Sequence, residues 1–283
     1  MKATKLYSIL EKDFITSNMS DNWFEYMGSI SEFVCDNFKK RSMGLVCDFT
    51  KEINKVYTAV FPSEDVMKKI ITDDVTKAML FVHHPSIWDI RKAPDIFYQM
   101  DKKLLQEFKK RNISIYNLHV PLDHFGKYST SVTLAKALNI KPEKPFAPYF
   151  GALCGVFGKS SFDNITDLKN KLEEVVGHKV KLYKYGDDKI KDNKVALIAG
   201  GGNDLDMLKE ISNENVNTFI TGITIKNDFS KKEHSFSKKH KINILGGTHY
   251  STEKFACKEM VKYFKKQGLE SEFIDDDPLM EDM

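Results

Sequence analysis

Six residues combine imidazole and carboxylate chemistry at spacings that suit metal ions: the adjacent pair His83-His84, His119 with Asp123, and His249 with Glu253. Histidine nitrogens and carboxylate oxygens together suit divalent transition metals such as Zn, Fe, Mn or Co. A carboxylate can also bridge two ions through its two oxygens. His249 and Glu253 stand four positions apart at a predicted helix start, which places both side chains on one face. His83 and His84 follow the apolar run Ala78–Val82, whose unbroken hydrophobicity fits a strand covered on both faces. Pro85 then ends ladder pairing. Neighbouring side chains of an extended chain point to opposite sides, so the two imidazoles are expected to serve two neighbouring ions. An isolated His-His pair would more simply be one packed and one exposed histidine. The other two sets, each also at a predicted strand end, favour the metal reading.

The elements that must position these residues alternate strand and helix, the rhythm of a largely parallel sheet. Leu45–Cys47, Val56–Val60 and Ala78–Val82 read as strands, with a helix opening at Ser63 between the last two. A Lys-rich amphipathic helix over 101–110 precedes the strand Ile113–Leu118, and His119 stands at its end. Upstream, 6–43 has a helical pattern with Trp23, Met27, Ile30, Phe33 and Val34 on one stripe, and Ser20 or Asp21 as N-cap. Such an aromatic stripe is read as core. The segment 141–148 holds three prolines in eight residues and is expected to be a linker. Beyond it a second α/β pattern begins, with strands over 151–157, 179–185, 195–199 and 219–222 and a final strand at Ile242–Leu245. Gly200-Gly201-Gly202 could offer backbone N–H groups to an anion, or could be a tight turn with Asn203 or Asp204 as N-cap; without a following Lys-Ser or Lys-Thr it is no P-loop. The acidic tail from Asp275 is expected to be loosely held.

The chain has 283 residues, 41% hydrophobic and 29% charged, as in ordinary globular proteins. Its 43 basic and 40 acidic residues nearly balance at +3, which does not mark a nucleic-acid binder. Local clusters such as Lys39-Lys40-Arg41 and Lys238-Lys239 leave only weak support for one. No apolar h-region follows the N-terminus and no stretch approaches the ~20 apolar residues that span a bilayer. Four scattered cysteines, Cys35, Cys47, Cys154 and Cys257, form no Cys-x-x-Cys pair. A cytoplasmic protein with reduced thiols is expected.

The ordered set His83-His84-Pro85, His119-Val120-Pro121-Leu122-Asp123 and His249-Tyr250-Ser251-Thr252-Glu253 resembles the Nif-three-like dinuclear metal-binding family, known by the name GTP cyclohydrolase I type 2. The resemblance runs from about Leu45 to the terminal helix. It implies an α/β fold of two domains, a two-metal centre at strand carboxyl ends and a toroidal homohexamer. Carried over, His83, His84, Asp123, His249 and Glu253 are metal ligands, with one ion held by His84, Asp123 and Glu253 and the other by His83, His249 and Glu253. His119 either ligates or orients Asp123. Thr221-Gly222 resembles a family loop, but Ile223 stands where a Glu is common.

Because His249 and Glu253 must meet His83 and His84, the expected organisation is a discontinuous domain of 1–140 plus 241–283, with 141–240 inserted. The function implied is a metal-dependent hydrolase holding two divalent ions, opening the guanine ring of GTP with a metal-bridging hydroxide. The alternative is a metal-stabilised scaffold or binding protein for protein or nucleic-acid partners.

Overall fold

Ala78–Val82 forms a strand buried at every position, as its unbroken apolar run requires. The computed structural model describes residues 1–228 and 230–283. In chain order its strands are β1 (Gly44–Cys47), β2 (Lys55–Ala59), β3 (Ala78–Val82), β4 (Ile87–Trp88), β5 (Phe97–Tyr98), β6 (Ile113–Asn117), β7 (Ile140–Tyr149), β8 (Ala152–Ser160), β9 (Lys181–Tyr183), β10 (Lys194–Ile198), β11 (Thr218–Thr221), β12 (Asn243–Gly246) and β13 (Glu270–Phe273). The α-helices are α1 (Ala3–Phe14), α2 (Asp36–Arg41), α3 (Glu64–Thr72), α4 (Lys102–Lys110), α5 (Val120–Asp123), α6 (Thr130–Ala137), α7 (Ile165–Val176), α8 (Leu205–Asn213), α9 (Lys231–Lys239) and α10 (His249–Lys266). Among the described residues, no helix is long and apolar enough to cross a membrane.

The chain divides into two compact units, Met1–Leu122 with Cys257–Asp277, and Asp123–Ala256 with Pro278–Met283. The dividing points fall inside α5 and α10. The first unit holds a five-stranded sheet ordered β1-β6-β3-β2-β13, parallel except for the edge strand β1. The second holds a six-stranded sheet ordered β7-β8-β10-β11-β12-β9, in which β10, β11 and β12 run parallel. The α/β class read from the sequence is therefore correct. The boundaries expected at 140 and 241 are not where this division falls. The proline-rich stretch 141–148 is no linker but most of β7, paired along its length with β8. It tolerates its prolines because β7 is an edge strand with a register shift between Pro142 and Lys144. β12, expected in the first domain, pairs with β11 and so belongs to the second unit.

Local chemistry sets many helix starts. Ser63 Oγ accepts from the Val66 N–H in α3, and the carboxylates of Asp101 and Asp204 cap α4 and α8. The segment after α1 departs from the helix expected over 6–43. It forms 3-10 turns at Trp23–Tyr26 and Gly28–Phe33 before the short α2. Polar side chains there take backbone donors away from an α ladder: Asp21 accepts from Asn22 N and Ser42 from Phe24 N. The stripe Trp23, Met27, Ile30 and Val34 still reaches the core of the first unit, as expected of it.

Phe81 in β3 is fully buried and meets Phe264 of α10 edge-on, with ring centroids 5.4 Å apart. Removing a packed ring of this kind costs about 3–5 kcal/mol. Phe81→Ala is therefore expected to lower the urea midpoint by an amount corresponding to that loss. An unchanged midpoint would show that the β3–α10 packing does not support the fold.

Candidate metal centre

Parallel neighbours bring three imidazoles to one edge of the first sheet. β2, β3 and β6 pair in parallel, and Val82 at the end of β3 is level with Ala59 and Asn117. His83 and His84 continue from β3, their backbone N–H groups donating to Ala59 O and Val60 O, while His119 follows β6. All three are buried. The rings of His83 and His84 lie 4.3 Å apart, not on opposite faces. The alternation rule fails because the strand ends at Val82, and the two residues already belong to the turn. One nitrogen from each of His83, His84 and His119 lies within 4.8 Å of the others, so the three can converge on one ion or share two.

Backbone and carboxylate groups select the nitrogens that point inward. His83 Nδ1 lies 3.0 Å from the carbonyl oxygen of Leu118, to which it donates, so Nε2 carries the lone pair. Asn117 holds the loop by donating its side-chain amide to the carbonyl of His83. His119 Nδ1 lies 2.8 Å from the carboxylate of Asp21. His84 is packed between Phe61, stacked at 4.8 Å, and the edge of Trp23.

The second unit repeats the layout. β10, β11 and β12 end level, with Ile198 beside Thr221 and Thr221 beside Gly246. Beyond them lie Gly200, Gly222 and the start of α10. There His249 Nε2 and Glu253 Oε1 are 3.2 Å apart, both side chains about 95% buried. The i, i+4 spacing thus puts both on one face, as the sequence indicated. Asp282 accepts the His249 backbone N–H at 2.8 Å and so caps α10 at its ligand-bearing end. Asp123 is buried at the end of α5 and accepts 2.7 Å from Thr130 Oγ1.

Gly200 fits tightly against the α10 pair. Its φ is +70°, and a Cβ there would overlap Glu253 Oε1 and stand 2.9 Å from Glu253 Cδ and 3.2 Å from His249 Cδ2. Gly222 is as confined: a Cβ would overlap Thr252 Oγ1 and stand 2.8 Å from the Gly200 carbonyl oxygen. The Gly200 N–H donates to Thr252 and the Gly202 N–H to Thr221, so these donors are already used and do not cradle an anion. Asp204 caps α8, the tight-turn alternative read from the sequence.

These donors fit divalent metal ions. Buried imidazoles and carboxylates, with the His83 tautomer fixed by a backbone carbonyl, are the ligand chemistry such ions take, and Gly200 leaves room for Glu253 to stand beside His249. Thiol chemistry at Cys35, Cys47 and Cys154 does not compete. Burial raises the thiol pKa values of Cys35 and Cys47 and pushes Cys154 up to about 12, where the nucleophilic thiolate is scarce.

The model of the DUF34/NIF3 family (NGG1p interacting factor 3) matches residues 25–278. The chain belongs to that family. A protein of Pyrococcus horikoshii named "GTP cyclohydrolase 1 type 2 homolog" is 26% identical over 239 residues, covering 83% of this chain and 90% of that protein. One of the same name from Borreliella burgdorferi is 28% identical over 242 residues, covering 84% and 90%. Among solved structures, a structural-genomics protein, ybgI, of unknown function superposes with a TM-score of 0.74 at 19% identity, covering 98% of this chain and 100% of that one. Reduced HcgD from Methanocaldococcus jannaschii gives 0.65 at 21%, with 98% of each chain covered. These two likenesses establish the fold.

Three residues around the site escaped sequence reading. Asp21 carries the mark of an N-cap, Gly200 that of any turn, and Asp282 lies in a tail expected to be loose but is fully buried. Asp21 and Asp282 both lie outside the span matched by the family model. His234, away from these residues in sequence, is also buried, with Nε2 3.0 Å from Thr224 O and Nδ1 3.0 Å from Tyr185 Oη.

Proposed function

We propose that the protein is a dinuclear metal-dependent hydrolase whose ligands are His83, His84, Asp123, His249 and Glu253. The observation that carries this reading is the convergence of buried imidazoles at 83, 84 and 119, with the His83 lone pair directed away from Leu118. Two bound divalent ions would supply Lewis acidity and a water acidified toward neutral pH. The chain's own residues do the rest. His83 and His84 are held by backbone and aromatic packing. Glu253, with two oxygens, is suited to bridge. Thr130 holds one oxygen of Asp123 and so sets the direction of the other. GTP ring opening is the reaction suggested by the names of the Pyrococcus and Borreliella relatives, and assembly as a homohexamer belongs to the same reading.

Metal-replete wild type and Asp123→Ala, compared for GTP ring opening and a phosphoester panel, test it. The expected result is activity abolished by chelation, restored by metal, and reduced in Asp123→Ala by more than the ~10–100-fold typical of losing a group behind a ligand. Oligomer size and melting temperature should change little. If wild type turns over no substrate while Asp123→Ala loses its assembly, the metals are structural and the protein is a scaffold.

A further inference from the structure

We propose that His119 is a metal ligand through Nε2 and that Asp21 is the residue that positions it. This rests on the metal-dependent reading above and concerns contacts within the first unit.

Asp21 and His119 are separated by 98 residues, yet Asp21 Oδ2 lies 2.8 Å from His119 Nδ1. The side chains are only 1% and 8% exposed, respectively. A carboxylate this deep is costly unless it is hydrogen-bonded or paired. The same Nδ1 also lies 2.9 Å from Trp23 Nε1. An indole N–H only donates and a carboxylate only accepts, so a single ring nitrogen cannot serve both. With no proton on Nδ1, its lone pair would face the anion of Asp21 at contact distance. With the proton there, Nδ1–H donates a charge-assisted bond to Asp21, the stronger of the two arrangements. The Trp23 indole N–H, 2.9 Å from the same nitrogen, then loses that acceptor, a smaller cost than leaving the buried carboxylate against a lone pair, and Trp23 packs edge-on to the imidazole at 5.0 Å.

The tautomer decides what His119 can do. With Nδ1 protonated, the neutral ring of His119 carries its lone pair at Nε2. His119 can ligate. Its ring lies 5.2 Å from that of His83 and 4.7 Å from that of His84. A carboxylate on the far nitrogen of a ligating imidazole fixes the ring and raises its basicity. Asp21 supplies this for His119 as the Leu118 carbonyl does for His83.

Asp21→Asn tests the pair, because the amide keeps the shape but can donate to Nδ1. The measurements are zinc competition against a chromophoric chelator and the nitrogen-15 spectrum of the His119 ring in metal-free protein. Asp21→Asn is expected to weaken zinc binding by about 10–100-fold and to move the ring proton from Nδ1 to Nε2. Trp23→Phe, which removes the competing donor, should leave the tautomer as in wild type. If Asp21→Asn does not fold, the wild-type spectrum still decides, and a proton on Nε2 overturns the proposal. Zinc binding by wild type with Asp21→Asn unaffected, or a tautomer that follows Trp23→Phe instead, overturns this inference alone. A wild type that takes up no zinc overturns the ligand role together with the hydrolase reading, while the spectrum still reports whether Asp21 sets the tautomer.

Discussion

Glu253→Ala is expected to leave the purified protein with neither of about two divalent ions per chain, while circular dichroism stays that of the folded wild type. Glu253 is the one proposed ligand assigned to both ions, so its loss removes a bond from each. Its carboxylate is 3.2 Å from His249 Nε2 and only 4% exposed, so little else can take its place. The metal-free variant should also lose the stabilisation that bound ligand confers, about 4 kcal/mol at a thousandfold excess over Kd. Wild type and variant should therefore melt differently with metal present and much more alike after chelation. Elemental analysis that finds both ions retained in Glu253→Ala would remove the bridging role, and with it the two-metal reading of this carboxylate.

What the sequence made legible follows from which physical signals are local. The run Ala78–Val82 could only be a buried strand, and Ser63, Asp101 and Asp204 announced helices because a capping side chain acts within three residues of itself. The His249–Glu253 pair was readable for the same reason, since helical periodicity alone puts the two side chains together. The orientation of His83 and His84 was not, because the alternation argument carries extended chain through both histidines, whereas the strand ends at Val82. Prolines at 142, 145 and 148 signal a break unless the strand is known to be an edge, which only the sheet order reveals. Asp21 reads in the sequence only as an N-cap, because its partner His119 lies 98 residues away. The acidic tail likewise gave no hint that one of its carboxylates, Asp282, caps the helix carrying two proposed ligands.

Gly200→Ala should weaken metal binding far more than its single added methyl group suggests. Three constraints act together. The φ of +70° is one that side-chain-bearing residues rarely adopt, at a cost on the order of 1–3 kcal/mol. The new Cβ would overlap Glu253 Oε1, so either the carboxylate or the backbone must move. The backbone is held on both sides, with Gly200 N donating to Thr252 Oγ1 at 2.9 Å and Gly200 O accepting from Gly222 N at 2.8 Å and Thr221 Oγ1 at 3.1 Å. The carboxylate therefore yields, turning away from His249. Misplacing the proposed bridging ligand should cost at least the ~10–100-fold in metal affinity seen when a group supporting a ligand is lost. Gly201→Ala is the control one residue on. Its φ is not in the left-handed region, and the nearest atom to a Cβ there is Ile223 Cδ1 at 3.4 Å, an ordinary contact. Isothermal titration with zinc should separate the two variants by at least tenfold, and metal-free Gly200→Ala should also unfold at lower urea. Equal zinc affinity in the two variants would mean that Gly200 does not set the position of Glu253.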